Sequence, residues 1–399
     1  MKQQDYNTLT ECLCCGSDRL ANLLDLGMQP LANNYHNGDE GKEYPLALNI
    51  CKQCCHTQLS VAVNPELMFK HYLYVTGTSK TLRDYCGWFA NMCVAENPNG
   101  VSVLDIASND GTQLDAFKML GLETVGIEPA TNLIADQPHH IINDFAENVH
   151  MAKQFDIITA QNVMAHTQYP LEILFKIKQW LSKTGTAYIQ TSQANMFING
   201  EFDTIYHEHI SFYCVRSMTR LLNRVGLHLV DVTKTHIHGE SYVFKIKHAN
   251  GKQQDLEAFD EHRYITKTYK DFGNKTAQTL TKLLWGILKY RKLGYTVIGY
   301  GAAAKGMTVL NALRLQTEEK YLIDYIVDDN PLKVNKMTPG TNIPICDSTI
   351  LKSESRQLII PLAWNFHNEI SQKVANIRGD RDTVYLQYFP VYKENGSIS

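Results

Sequence analysis

The sequence predicts an α/β protein made of a small metal-binding module followed by two doubly wound parallel-sheet domains. Three observations carry that expectation. Two Cys-x-x-Cys knuckles, Cys12–Cys15 and Cys51–Cys54, stand near the amino terminus. From Val101 onward short apolar runs alternate with helical stretches, an order that builds parallel sheets with ligands at the carboxyl ends of the strands. From Tyr295 the same alternation begins again. The 399 residues leave room for two or three domains of about 150 residues each. Hydrophobic residues at 44% and charged residues at 20% are ordinary for a globular chain, and a net charge of −3 offers no general surface for nucleic-acid phosphates. Met1–Tyr6 lacks the apolar core of a signal peptide, and no apolar run reaches the roughly 18 residues of a bilayer span. A cytoplasmic protein without membrane or nucleic-acid partners, monomeric or weakly oligomeric, is the expectation.

Six of the ten cysteines fall in the first 55 residues, and in a reducing compartment such clustering favours metal ligation over disulfides. Cys12, Cys15, Cys51 and Cys54 have the spacing that puts thiolates on the corners of a zinc tetrahedron. Gly16 follows the first knuckle, where the turn needs a residue tolerant of positive φ. Cys14, Cys55 and His56 leave the ligand set open, and free or redox-active thiols are the alternative. Four thiolates would leave no coordination position for chemistry, so a zinc here is structural.

In the middle of the chain, Val101–Ile106 reads as a buried strand and 112–120 as a helix. Strands follow at Glu123–Glu128, Ile141–Ile142, Phe155–Gln161 and Gly185–Gln190, with a helix at Pro170–Leu181 between the last two. Leu227–Thr233 and Ser241–His248 read as an antiparallel pair at the sheet edge. The loop Ala107-Ser-Asn-Asp-Gly-Thr112 resembles the S-adenosylmethionine loop of class I methyltransferases, and Glu128 stands where their ribose-binding carboxylate lies. Ala107 and Asn109 occupy positions where glycines or other small residues are commoner. The implied cofactor contacts are Asp105, Ala107, Ser108, Asn109, Asp110, Gly111, Glu128 and Asn162, with Asp144 and Phe145 at the adenine. Another nucleotide cofactor remains the alternative, and Phe145 reads equally well as a core aromatic.

Phe202–Tyr213 holds four titratable side chains in a row, Tyr206, His207, Glu208 and His209. On an extended segment His207 and His209 would point one way and Glu208 the other. A general acid/base cluster is the leading reading, because imidazole titrates near neutrality and a carboxylate fixes its tautomer. A second metal site and a structural hydrogen-bonded cluster are the competitors.

Several blocks in order make the chain resemble the nucleotide-sugar C-methyltransferases that attach methyl branches to deoxysugars. They include Leu26-Gly-x-Gln29-Pro-Leu-Ala-Asn33, Leu104–Thr112, Asn162-Val-Met-Ala-His166 and Ile205-Tyr-His-Glu-His209. Further blocks are Gly299-Tyr-Gly-Ala-Ala-Ala-Lys-Gly306, Val327-Asp-Asp-Asn-Pro331 and Leu362-Ala-Trp-Asn-Phe366. The resemblance implies an S-adenosylmethionine-dependent C-methyltransferase with structural zinc, acting on a dTDP- or other nucleotide-linked 4-keto sugar at C3. A proton must leave the carbon beside the ketone first, and the resemblance places that base at His209, with Tyr206, Glu208, His166 and Tyr74 as active-site partners. It also implies substrate contacts at Tyr72, His207, Lys305, Trp364 and Asn365. A helix-capping role is the plain alternative for His166, a solvated helix residue for Lys305, and core packing for Trp364–Phe366. Two departures bear on which sugar is accepted: Gln190, where the family commonly has a glutamate, and Gly239-Glu-Ser-Tyr-Val243 in place of a Gly-Gly-Ser-x-Arg run.

Residues 256–293 read as helical, anchored by Phe259, Tyr264, Leu280, Leu283, Leu284 and Leu288. Tyr295–Tyr300 then runs into Gly299-x-Gly301-x-x-Ala304, a dinucleotide-type turn, with further strands at Tyr321–Val327, Gln357–Leu362 and Thr383–Tyr388. Asp328 follows Gly299 by 29 positions, later than the usual spacing of about 20. In the family this Rossmann-like half binds no second cofactor and helps hold the nucleotide sugar. The expected division is therefore 1–70, 71–250 and 251–399. An NAD-dependent nucleotide-sugar dehydrogenase or epimerase, or a non-catalytic methyltransferase-like binding protein, are the rival functions.

Overall fold

The computed structural model describes residues 5–39, 41–69, 75–134, 137–192, 196–237, 240–249, 265–317, 319 and 322–396. The chain forms two compact units. One comprises Met1–Asn22, Asn49–Ala194 and Glu208–Ile265, the other Leu23–Leu48, Asn195–His207 and Thr266–Ser399.

The first unit is built on a seven-stranded sheet. Its order is Leu227–Thr235, Ser241–His248, Leu181–Ser192, Phe155–Gln161, Ser102–Ile106, Glu123–Ile127 and His140–Ile142. The last five strands are parallel, and the first two form the expected antiparallel edge. All of Ser102–Ile106 is buried, as befits a parallel strand covered on both faces. The helix Pro170–Trp180 opens with proline at its first turn and stops one residue earlier than the sequence suggests. Leu181 is already strand, which lengthens the predicted Gly185–Gln190 strand to Leu181–Ser192. Ile173, Leu174, Ile177 and Trp180 pack into one core cluster with Met218, Leu221 and Leu222 of the helix Val215–Val225. Phe89, Ala90 and Cys93 of the helix Lys80–Glu96 cover the other face with Leu114 and Phe117. The strand order reverses between Ser102–Ile106 and Phe155–Gln161, which opens a crevice at their carboxyl ends.

The second unit carries a six-stranded sheet in the order Ile345–Cys346, Tyr325–Val327, Thr296–Tyr300, Gln357–Pro361, Thr383–Gln387 and Lys393–Gly396. Only the last pairing is antiparallel. The two outermost strands, of two and four residues, carry too little apolar pattern to be read in advance. A helix spans Ile265–Lys292 and buries Phe272, Leu280, Leu283 and Ile287, while Leu284 and Leu288 are half-buried. Phe259 and Tyr264 lie outside the described residues.

Candidate active site

The two knuckles bring Cys12, Cys15, Cys51 and Cys54 together, with all four sulfurs within 4.8 Å of one another. Cys12 Sγ lies 3.5 Å from Cys54 Sγ, and Cys15 Sγ 3.6 Å from Cys51 Sγ. A tetrahedron with Zn–S bonds of about 2.3 Å has edges of about 3.8 Å, so the thiolates fit that ion. Each knuckle closes on a left-handed residue, Gly16 at φ 74° and Cys55 at φ 63°. Cys55 is thus the turn residue of its knuckle, and among the described residues no other His, Cys, Asp or Glu group has metal-holding geometry. Cys14, His56 and the histidines at 207 and 209 therefore drop out as ligands. His56 is fully buried, pushed down to about 3 by that burial, and bonded to Ser211 Oγ at 3.1 Å.

The short strand after the second knuckle supports the segment after His209. Thr57–Leu59 pairs antiparallel with Ser211–Phe212, Leu59 N donates to Ile210 O at 2.8 Å, and Thr57 Oγ1 donates to Phe212 O at 3.2 Å. Gln58 adds a link to the first knuckle region, accepting from Leu13 N at 2.8 Å and donating to Glu11 O at 2.9 Å.

At the crevice, the loop after Ser102–Ile106 takes left-handed conformations at two of its non-glycine positions, Ala107 at φ 57° and Asn109 at φ 54°. The shape that glycines usually supply is therefore present without them. Gly111, at φ 81°, starts the helix Thr112–Met119. Glu128 ties the loop down: Oε2 accepts from Asn109 N and Oε1 from Ala130 N, both at 2.8 Å. Each carboxylate oxygen has a further lone pair, so two ribose hydroxyls can be accepted beside these amides. Burial raises the Glu128 pKa, while these amides oppose the rise. Asp105 lies below, pushed up to about 7 by burial and by the Glu128 charge, with Thr159 Oγ1 donating to it at 2.6 Å.

The loop also holds a segment of which the sequence singled out only Tyr72 and Tyr74. Thr76 N donates to Asn109 Oδ1 at 3.0 Å and Gly77 N to Asp110 Oδ2 at 2.8 Å. A Cβ on Gly77 would stand 2.6 Å from Asp110 Oδ2, so only glycine allows this approach. Tyr72 and Tyr74, just before it, lie outside the described residues. Ser108 is buried, and its Oγ has no partner among the described residues. Asp144 is exposed and accepts from Phe145 N and Asn148 Nδ2 at 2.7 and 2.9 Å, while Phe145 is half-buried. Asn162, at φ 56°, turns the chain out of Phe155–Gln161.

That turn leads to His166, whose ring stands 5.0 Å from His209 and at 89° to it. Phe69 packs 5.6 Å from His166, and Phe212 lies 6.3 Å from His209. Ala165 O accepts from Ile210 N at 2.7 Å and Ser211 N at 3.1 Å, which fixes the two segments side by side. Burial holds His166 down at about 4, so it is neutral near pH 7, and its Nδ1 is buried without a partner among the described residues. His166 does not cap the following helix, where Thr167 Oγ1 accepts from Tyr169 N instead.

The extended alternation expected at 206–209 does not form, because the chain turns there. His207 belongs to the second unit, where its ring meets Tyr44 edge-on at 5.8 Å and burial pushes it down to about 4. Glu208 and His209 are buried and Tyr206 is half-buried.

In the second unit, Trp364 is buried, with Lys305 Nζ 5.1 Å from its ring centroid. Trp364 Nε1 donates to Asp203 Oδ2 at 2.7 Å. Asp203 is fully buried with a raised pKa, chiefly from burial, and among the described residues its Oδ1 has no partner. Nothing local in Phe202-Asp203 marks that role. Asn365 is exposed. At the Gly301 turn, Ala302 N donates to Asp328 Oδ2 at 2.6 Å, and Ala302 O accepts from Tyr35 and Lys333 at 2.6 and 2.7 Å.

Comparison with known proteins bears on these geometries. A C-methyltransferase C-terminal domain model matches residues 237–390, a methyltransferase domain model residues 79–232, and a zinc binding domain model residues 12–69. The C-methyltransferase NovU of Streptomyces niveus is 27% identical over 395 residues, covering 92% of this chain and 93% of that protein. The chain is thus a methyltransferase, similar over nearly its whole length to a C-methyltransferase. A tRNA U34 carboxymethyltransferase of Colwellia psychrerythraea is 24% identical over 54% of the chain and 62% of its own length. An S-adenosylmethionine-dependent methyltransferase structure from Clostridium acetobutylicum overlaps 41% of the chain and 91% of its own, at 12% identity and a TM-score of 0.35.

As a methyltransferase, the first unit has a methyl-donor site that fits S-adenosylmethionine. The Glu128 carboxylate, the left-handed loop and the unmet Ser108 hydroxyl converge at the crevice where a doubly wound sheet takes its nucleotide. The four thiolates fit a zinc in a closed site, whose metal would shape the fold and leave the chemistry to side chains. Among the described residues no helix is long and apolar enough to cross a membrane.

Proposed function

We propose that the protein is an S-adenosylmethionine-dependent C-methyltransferase of a nucleotide-linked 4-keto-deoxysugar, acting at C3 beside the ketone. The observation that carries this reading is the perpendicular His166–His209 pair, 5.0 Å apart, in the unit that also holds the Glu128 loop. S-adenosylmethionine, when bound, supplies a methyl group activated on a sulfonium. Glu128 accepts the ribose hydroxyls, and Asp144 with Phe145 borders the adenine. Asp105, Ala107, Asp110, Gly111 and Asn162 shape the pocket for the rest of the donor.

His209 takes the proton from C3, and the electrons of the broken C–H bond move onto the ketone oxygen as an enolate forms. General-base positioning contributes about 10²–10⁴-fold, so donors to that oxygen must supply much of the remainder. Neutral His166, with its unmet Nδ1, supports a donor role, and the same role is proposed for Tyr206 and Tyr74. Glu208 orients His209. Lys305 over Trp364, together with Asn365, His207 and Tyr72, is proposed to hold the nucleotide-sugar substrate. The alternative of a dehydrogenase finds less support, because the amide and carbonyl of Ala302 are both engaged by the chain itself.

The test is incubation with labelled S-adenosylmethionine and a panel of nucleotide-linked keto sugars. A second arm follows deuterium uptake at the carbon beside the ketone, in D2O and without the methyl donor. Methylated sugar and His209-dependent exchange are expected. Label transfer to none of the panel would overturn the substrate assignment, and exchange that survives His209→Gln would overturn the base.

A further inference from the structure

Gln190 is the buried group that the proposed mechanism does not use. It stands near the carboxyl end of strand Leu181–Ser192 and is 1% exposed, yet among the described residues neither its Oε1 nor its Nε2 meets a partner. Its neighbours are served. Gln161, its register partner, donates through Nε2 to Gln113 Oε1 at 2.8 Å, and Gln113 Nε2 donates to Cys86 O at 3.2 Å. On the other side Gln190 faces Val243, which belongs to an apolar cluster with Tyr188, Ile157 and Phe89. An apolar residue would fill that layer at no polar cost, whereas an unmet buried group costs about 1–3 kcal/mol.

Tyr85 packs against the same cluster. Thr235 lies two residues beyond Thr233, the register partner of Val243, so alternation puts it on the same side, and the Tyr85 hydroxyl faces it. Gln190 is joined to the catalytic region through its backbone, because its carbonyl accepts from Asn162 N at 2.9 Å. Asn162 begins the turn that ends at His166.

We infer that Gln190 faces the substrate and reads a carbonyl oxygen and a hydroxyl on neighbouring carbons. A carboxamide presents one donor edge and one acceptor edge on a single plane. Its complement is an acceptor beside a donor, as in an α-hydroxy ketone. Nε2 donates to the ketone oxygen, the atom that gains charge as the carbon loses its proton, and Oε1 accepts from the adjacent hydroxyl. This inference rests on the keto-sugar reading and adds to it a requirement for a hydroxyl beside the ketone.

The experiment uses Gln190→Leu and has two arms. The first compares melting temperatures of the variant and the parent without ligand, which needs no knowledge of the substrate. A side chain with no partner inside the protein leaves the variant at least as stable as the parent, and a clear fall in melting temperature would overturn the inference. The second arm measures kcat/KM with a nucleotide-linked 4-keto-6-deoxyhexose and with its analogue lacking the hydroxyl next to the ketone. The variant is expected to lose about tenfold to a hundredfold on the hydroxylated probe and less than about threefold on the analogue. S-adenosylhomocysteine affinity by calorimetry is expected to stay within about twofold. Equal losses on both probes, or no loss, would overturn the inference. If the parent methylates no keto sugar, the functional reading fails, and the melting comparison still decides whether Gln190 awaits a ligand.

Discussion

Two turns of one design sit in the two units, and they differ in how many of their polar groups are already spoken for. In each, a buried strand runs into a left-handed residue, Ala107 in one and Gly301 in the other. In each, an acidic residue at the end of the next strand locks the turn. Glu128 accepts from Asn109 N and from Ala130 N, while Asp328 accepts from Ala302 N and from Asn330 N. At the second turn itself the groups are met: Ala302 O accepts from Tyr35 and Lys333, and the Tyr300 and Tyr388 hydroxyls donate to Asp329 and Leu362 O, while Asp203 Oδ1, farther along at Trp364, finds no partner among the described residues. Around the strand ends of the first unit, Ser108 Oγ, His166 Nδ1 and both amide atoms of Gln190 are buried and unmet. Buried polar groups that lack partners in a folded chain call for an outside partner. The comparison separates a turn whose surroundings leave several polar groups for a ligand from one whose own amide and carbonyl are engaged by the chain, a difference the glycine pattern alone does not reveal.

The largest expected effect comes from removing the proposed base. His209→Gln is expected to lower methyl transfer by on the order of 10²–10⁴-fold while S-adenosylhomocysteine binding, read by calorimetry, stays at the parent level. A variant with near-normal turnover would move the base elsewhere. Loss of the metal comes next. Cys51→Ala is expected to abolish bound zinc in a metal assay and to shift part of the unfolding heat downward by on the order of 10 °C, leaving the part from the second unit in place. Because Thr57–Leu59 braces Ser211–Phe212, turnover should fall with the zinc. An unchanged zinc content would refute the ligand assignment.

The lock itself distinguishes the two turns at a smaller scale. Glu128→Gln is expected to weaken S-adenosylhomocysteine binding by about tenfold to a hundredfold, because two hydroxyls lose a charged acceptor. Asp328→Asn is expected to change that affinity by less than about twofold and to show its effect in thermal stability alone. If the two substitutions acted alike on affinity, the proposed division of labour between the turns would be wrong.

What the sequence made legible was local. Knuckle spacing, the loop between Asp105 and Glu128, and the Tyr-His-Glu-His run are each contained in a few residues or in one strand–turn–helix unit. The partnerships that went unread join distant positions. Asp203 meets Trp364 across 161 residues, and Gln58 reaches Glu11 across 47. Thr76 and Gly77 settle on Asn109 and Asp110 from an unpatterned stretch. Leu23–Leu48 groups with Thr266–Ser399, which no composition shift announces. The expectation that His207 and His209 share a face assumed an extended chain. A turn at that point gives each ring a different neighbour, Tyr44 for one and His166 for the other.

The smallest effect concerns the left-handed residues, and here the two turns should respond with opposite sign. At φ 57° an alanine in a left-handed conformation costs about 1–2 kcal/mol, while glycine adds about 0.5–1 kcal/mol of unfolded-chain entropy. Ala107→Gly is therefore expected to be neutral or stabilising by up to about 1 kcal/mol, read by denaturant midpoint. Gly301 sits at φ 92°, farther from what a side chain accepts, and a Cβ there would stand 2.9 Å from Ala363 Cβ. Gly301→Ala combines that strain with a contact that must be relieved, so a loss larger than any gain at 107 is expected. Should Ala107→Gly instead destabilise strongly, the methyl of Ala107 would have to be packing against something that offsets its strain. Its exposure in the fold argues against such a contact.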